Sequence, residues 1–239
     1  MATVWLIIGT IGFVAATVLF LYWATTAPAG TRHFYVITAV ITGVAAFSYL
    51  MMATGAGATL VGGDRLFYFF RYIDWLITTP LLLVDLALLA LANPRRNIGT
   101  IATLIVLDVV MILTGLLAGS RESAVGRGFW FIVSTVAFVV LVYLIVTQLF
   151  AAARSASGNA QGLFSTLAYL TVVLWSLYPI VWLLGTEGFG AVGTGTEVFL
   201  FLILDFLAKI AFGILLLTNR QALTEATGGG AAAQPSRVR

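Results

Sequence analysis

Seven apolar runs divide this chain, each roughly 20 residues or longer, the length a ~30 Å hydrocarbon core demands of a helix. They fall at 3–25, 33–54, 66–91, 97–118, 126–152, 161–184 and 196–218. Turn residues punctuate the gaps. Thr-Ala-Pro-Ala-Gly follows the first run, Gly62-Gly63-Asp64 marks the break before the third, and Asn93-Pro94-Arg95-Arg96 the break before the fourth. Ser155–Gly158 and the Gly-rich stretch Gly188–Gly195 separate the last three. No alternating pattern is long enough for a barrel, and no internal repeat is visible. The pattern predicts an all-α membrane protein with seven transmembrane helices over residues 1–220. Residues 221–239, Gly/Ala-rich and polar from Thr224 on, are expected to form a disordered tail.

Composition agrees: 61% of residues are hydrophobic and only 9% charged, against about 25% charged in a soluble domain. No charge precedes Arg32. The first run lacks the basic flank and small-residue cleavage site of a secretory signal, and is too long for one, so it is expected to be a retained span. Without cysteine there is no disulfide and no thiolate metal site. The net charge of +3 is spread over loops and tail rather than gathered into a nucleic-acid-binding stripe. Arg32, Arg95, Arg96, Arg154, Arg220, Arg237 and Arg239 fall on one side of the spans, Arg65, Arg121 and Arg127 on the other. The positive-inside rule then puts the N-terminus outside and the C-terminus in the cytoplasm.

The only lysine, Lys209, lies inside the seventh run, FLFLILDFLAKIAFGILLL. An ionisable residue at membrane depth is a functional candidate by default. An amine in dry surroundings is a usable nucleophile for a carbonyl, forming a Schiff base. Asp205, one turn earlier on the same face, is a ready counter-ion. The third run, RYIDWLITTPLLLVDLALL, adds Arg71, Asp74, Thr78 and Asp85. Asp74 and Thr78 are one turn apart on one face. Asp74 and Asp85 lie within roughly 20° of a common face and about 16 Å apart along the axis. Two carboxyls so placed read as stations of a proton path, or as hydrogen-bonding glue between helices. Arg71, almost a turn before Asp74, can neutralise it, gate an exit, or simply snorkel. In the sixth run Trp175, Tyr178 and Trp182 fall at i, i+3 and i+7 with Pro179 among them, and Trp75 and Trp130 add flat surfaces. Such a stripe alone reads as packing. Around a buried amine it describes a slot for an elongated conjugated ligand. Asp108 in the fourth run is a further buried acid.

Three strings occur in order on the third, sixth and seventh runs: Asp-Trp-x-x-Thr-Thr-Pro from Asp74, Trp-x-x-Tyr-Pro from Trp175, and Asp-x-x-x-Lys from Asp205 to Lys209. In them the chain resembles the microbial (type I) rhodopsins, and among these the bacteriorhodopsin-like outward proton pumps, over all seven spans. The resemblance implies all-trans-retinal held covalently on Lys209 as a protonated Schiff base in a buried pocket, with Asp74 and Asp205 as counter-ions. It implies Asp74 as proton acceptor with Thr78 beside it, Asp85 as cytoplasmic donor, and Arg71, Glu187 and Glu197 as the release group. The implied pocket comprises Tyr72, Trp75, Thr79, Met111, Gly115, Ser134, Thr135, Trp175, Tyr178 and Trp182. Tyr49 would bond near the counter-ion, Thr38 would hold Asp85, and Asp108 would pair with Thr79. A light-driven ion transporter of the plasma membrane follows, not an enzyme. Its partners would be retinal, protons and lipid, with a homo-oligomer left open. Two positions depart from the pump pattern: Ile73 replaces a small residue, as in blue-absorbing sensory rhodopsins, and Phe131 replaces a common tryptophan.

Blander readings stand beside these. Lys209 and Asp205 also fit a structural ion pair, and Glu187 and Glu197 ordinary loop acids. Three rival functions differ at named places. A sensory rhodopsin signalling to a membrane partner needs no protonatable Asp85. An anion pump would lack the carboxylate at Asp74. A non-photochemical receptor would gain no visible absorption from added retinal.

Overall fold

The computed structural model describes residues 1–91, 93–154, 156 and 158–228. Seven helices among these are long and apolar enough to cross a membrane: α1 (Ala2–Thr25), α2 (Arg32–Ala53), α3 (Phe69–Ala90), α4 (Ile98–Ser120), α5 (Ala124–Ala153), α6 (Gly158–Leu184) and α7 (Thr194–Thr218). Their limits lie within about three residues of the apolar runs, because hydropathy changes where the chain must leave the hydrocarbon. A 3₁₀ turn, Pro94–Asn97, leads into α4, with the Asn93 side chain capping the Arg96 N–H.

Burial ranks the helices. In α3 and α7, 61% and 56% of the most apolar window is buried, against 17% in α5. The chemistry-bearing helices are therefore the central ones, and α5 gives most of its surface to lipid. Pro80 in α3 and Pro179 in α6 are absorbed without breaking either helix, as neighbouring helices allow inside a membrane bundle. Helices α5 and α7 each contain a π-helical stretch, Ile145–Leu149 and Phe206–Ala211. The second carries Lys209, so the backbone is wound more loosely at the residue whose side chain matters most.

Two features differ from the sequence expectation. The third run does not begin as helix: Arg65–Phe67 forms a strand, β2, paired antiparallel with β1 (Thr59–Val61). Gly62 and Gly63 between them have φ of +67° and +92°, a turn conformation that glycine adopts without a Cβ penalty. The hairpin folds over one end of the bundle, with Phe67 buried. The tail expected to be disordered from 221 instead continues as a short helix, α8 (Arg220–Ala226). Its Ala222 and Leu223 are buried, and apolar burial supplies the order that its polar composition does not suggest. The remainder of that expected tail, 229–239, lies outside the described residues.

Candidate functional site

Lys209 is fully buried and its Nζ meets two carboxylates. It donates to Asp74 Oδ2 of α3 and lies 3.2 Å from Asp205 Oδ1, one turn back in α7. The two acids are unequally furnished. Asp205 Oδ1 accepts from Tyr178 OH at 2.8 Å and Trp75 Nε1 at 3.3 Å, and Oδ2 accepts from Tyr49 OH at 2.8 Å. Among the described residues Asp74 Oδ1 has no hydrogen-bond partner. Asp205 is thus fixed by three donors from three helices, whereas Asp74 Oδ1 meets none of them. Thr78 Oγ1 donates to the Asp74 backbone carbonyl at 2.9 Å, so it steadies the helix beneath the acid.

Beside the amine lies a chamber of about 100 Å³. All ten pocket residues named from the sequence line it: Tyr72, Trp75, Thr79, Met111, Gly115, Ser134, Thr135, Trp175, Tyr178 and Trp182. The structure adds Leu82, Ile112, Phe131, Phe138, Pro179 and Ala208. Phe138 was legible: with Phe131, Ser134 and Thr135 it completes an i, i+3, i+4, i+7 stripe on α5. Phe131 stacks on Trp182 at 4.8 Å and 20°. Trp130, offered as a flat surface, is not in the chamber lining and packs edge-on against Phe129. One residue of helical phase, about 100°, separates the two roles.

The hydroxyls in the wall are already used. Ser134 Oγ donates to Met111 O, Thr135 Oγ1 to Phe131 O, and Thr79 Oγ1 lies 2.7 Å from both Trp75 O and Asp108 Oδ2. The chamber therefore presents an apolar, ring-lined surface with one reactive amine, Lys209. A Cβ added at Gly115 would stand 3.4 Å from Tyr72 Cε1 and 3.5 Å from Ser134 Oγ, so glycine keeps this wall flat. These residues fit a long flat polyene with a carbonyl end. The pairing of Asp108 with Thr79 agrees with the expectation.

Toward the hairpin end lies a second charged cluster. Arg71 Nη1 donates to Glu197 Oε1 at 2.8 Å and lies 3.6 Å from Glu187 Oε1. The sequence suggested that Arg71 could neutralise Asp74. Among the described residues it pairs with these two glutamates instead, and its guanidinium lies 4.1 Å over the Phe201 ring. Neither glutamate is an ordinary loop acid: both are buried. Glu197 Oε2 accepts from Thr186 N and Oγ1, each at 2.8 Å. Glu187 accepts from Tyr72 OH, which itself accepts from Trp182 Nε1 at 2.7 Å. Burial pushes the Glu187 carboxyl up from 4.5 to about 7, against the pull of Arg71. The Gly-rich link folds inward through Phe189 N→Leu183 O and Gly190 N→Gly185 O, which turns Glu187 toward the protein. Thr186 was not foreseen, since a threonine in a loop carries no pattern.

At the opposite end of α3, Asp85 is fully buried, with Oδ1 unpartnered among the described residues and Oδ2 3.5 Å from Thr38 Oγ1. Thr38 is its expected neighbour, though its hydroxyl bonds more closely to Phe34 O, at 2.8 Å. Gly213 admits this approach of α7 to α2: a Cβ there would lie 2.6 Å from Thr38 Cγ2 and 2.8 Å from the Phe20 ring.

Seven membrane-length helices closed around an apolar chamber, with one buried lysine between two carboxylates, define a membrane protein built about an internally held, carbonyl-bearing ligand. Residues 1–223 match the family described as bacteriorhodopsin-like protein, and the chain belongs to that family. It is 43% identical to archaerhodopsin-3 of Halorubrum sodomense, over 98% of this chain and 92% of that protein. The crystal structure of a thermophilic rhodopsin from Rubrobacter xylanophilus is 58% identical and superposes with a TM-score of 0.94, covering 96% of this chain and 100% of that one. A light-driven proton pump, LR (Mac), of Leptosphaeria maculans superposes at 0.86 with 33% identity, covering 94% and 96%. The chain is thus a rhodopsin-family, multi-pass protein of the plasma membrane, and its family implies a retinal chromophore.

Proposed function

We propose that this protein is a light-driven outward proton pump with all-trans-retinal bound covalently to Lys209. The observation that carries the reading is the inequality of the two acids at Lys209. Retinal on this lysine supplies light absorption and an isomerisation that reorients the proton-bearing nitrogen. Lys209 Nζ gives its proton to Asp74, whose Oδ1 is open, because Asp205 is already held by Tyr49, Trp75 and Tyr178. Neutral Asp74 and deprotonated Lys209 no longer attract one another. The loss of charge at Asp74 changes the field on Arg71, one turn away, and with it the hold of Arg71 on Glu187 and Glu197. A proton leaves from that cluster at the hairpin end. Asp85, buried in apolar surroundings, returns a proton to Lys209 from the other end and is reloaded there. The arginine distribution orients the hairpin end outward and the α8 end to the cytoplasm, so each cycle moves a proton out.

The sensory alternative requires nothing of Asp85. The burial of that acid on the far side of Lys209 from the release cluster supports pumping instead. The test is direct. Cells expressing the chain with added all-trans-retinal should become coloured and acidify an unbuffered suspension on illumination, reversibly and with collapse by a protonophore. Lys209→Ala should give neither colour nor acidification, as the chain has no second lysine. Coloured cells with no light-driven pH change would overturn pumping. A covalently attached visible chromophore in Lys209→Ala would overturn the attachment.

A further inference from the structure

The carboxyl of Glu187 is faced from three elements. Arg71 and the neutral Tyr72 approach from α3, Glu197 from α7, and the third charged group is Arg65 of β2. Tyr68 stacks behind Arg71, 5.6 Å from its guanidinium. Arg71 is committed to Glu197, and the Tyr72 hydroxyl to Trp182 and Glu187. Arg65 is placed differently. Its Nη2 donates to Gly119 O at 2.8 Å and Arg121 O at 3.0 Å, carbonyls at the C-terminal end of α4. That end of a helix carries partial negative charge and unmet acceptors. Among the described residues no carboxylate lies within ion-pair distance of Arg65, and its Nη1 is buried without a partner. Gly119, which takes the bond, packs on Tyr72: a Cβ added there would lie 3.0 Å from the Tyr72 hydroxyl. The contacts thus run Arg65, Gly119, Tyr72, Glu187.

We infer that Arg65 is a positioning residue for Glu187: it pins the end of α4 against Tyr72, whose hydroxyl donates to the Glu187 carboxyl, and keeps its own positive charge at the head of that chain of contacts. Its pull opposes the rise that burial imposes on Glu187. Neither Arg65 nor the hairpin touches the chamber, so the colour should not depend on it. Its consequence for pumping rests on the proposed release role of Glu187, but the electrostatic claim does not.

The test is an infrared titration of the carboxyl C=O band of the retinal-loaded protein in the dark, assigned by its loss in Glu187→Gln. Arg65→Gln removes the charge and keeps an amide donor for the two carbonyls. Its Glu187 midpoint should rise by roughly half to one pH unit, less than the shift of a charge in direct contact because Arg65 is partly exposed. Arg65→Lys keeps the charge and should titrate near the parent. Should Arg65→Gln fail to accumulate, Arg65→Met serves the same comparison. A pH-dye measurement after a flash should show the boundary between early and late proton release moving by the same amount. Equal midpoints in Arg65→Gln and the parent would overturn the inference. So would equal shifts in Arg65→Gln and Arg65→Lys, which would reduce Arg65 to a helix cap. A parent that releases no proton in light would overturn the pump reading, while the dark titration would still decide the role of Arg65.

Discussion

Asp85→Asn separates an internal proton donor from a structural carboxyl. The replacement keeps size and shape and removes the transferable proton. In the parent, Asp85 lies about 16 Å along α3 from Asp74, is fully buried, and among the described residues has one oxygen without a partner. Its contact to Thr38 is long, at 3.5 Å, so loss of that contact costs little structure. Without the donor, Lys209 must take its proton from bulk water. At a diffusional ceiling of about 10⁹ M⁻¹ s⁻¹, that supply is ~10² s⁻¹ at pH 7 and ~1 s⁻¹ at pH 9. The packing of Gly213 and Phe20 around Thr38 holds the real rate below this ceiling. Flash photolysis from pH 6 to 9 reads the decay of the blue-shifted species that lacks the Lys209 proton. The variant should slow about tenfold per pH unit, roughly a thousandfold over the range, while the parent stays much flatter because its donor is loaded from within. Equal rates with equal pH dependence would remove Asp85 from the proton path and raise the sensor reading to first place.

Three further outcomes follow from the same geometry. Asp74→Asn removes the proposed acceptor and a negative charge at Lys209, so the absorption band should move to the red and light-driven acidification should vanish. Undiminished pumping would mean that Asp205 or another group takes the proton. Thr79→Val strips Asp108 of the one hydrogen bond it makes among the described residues, 2.7 Å long and buried. A buried polar group so stranded costs about 1–3 kcal/mol, so thermal bleaching should be faster than in Thr79→Ser, and equal half-times would refute the role of that bond. Glu187 binds its proton more tightly in the folded protein, near pH 7 against an ordinary 4.5. Its contribution to stability is therefore fully present below pH 4.5 and lost as pH rises through 7, by at most ~3 kcal/mol. Thermal half-times of the parent should fall across that window, and Glu187→Gln should flatten the fall; parallel profiles would count against a neutral Glu187.

The seven spans, the lone amine and its slot could be read from the chain because each rests on local information. Hydropathy reports transfer into hydrocarbon residue by residue, and spacing along one helix fixes which side chains share a face, so Asp74 with Thr78, and Trp175 with Tyr178 and Trp182, needed no partner helix to be recognised. The family strings then named the residues around Lys209. Partner choice was another matter. Arg71 is three residues from Asp74 yet pairs with Glu197, 126 residues away, because the rotation of α3 and the inward fold of the Gly-rich link decide what its guanidinium reaches. Trp130 and Phe131 exchanged roles through a single step of helical phase. Asp74 and Asp205 are the same residue type on neighbouring helices, and only the convergence of Tyr49, Trp75 and Tyr178 on Asp205 distinguishes them. The β-hairpin and the ordered start of the tail escaped the sequence for a related reason: short polar segments take their structure from the surface they cover. Burial is a property that a segment carries with it, whereas a hydrogen bond between helices exists only once their relative rotation and depth are set.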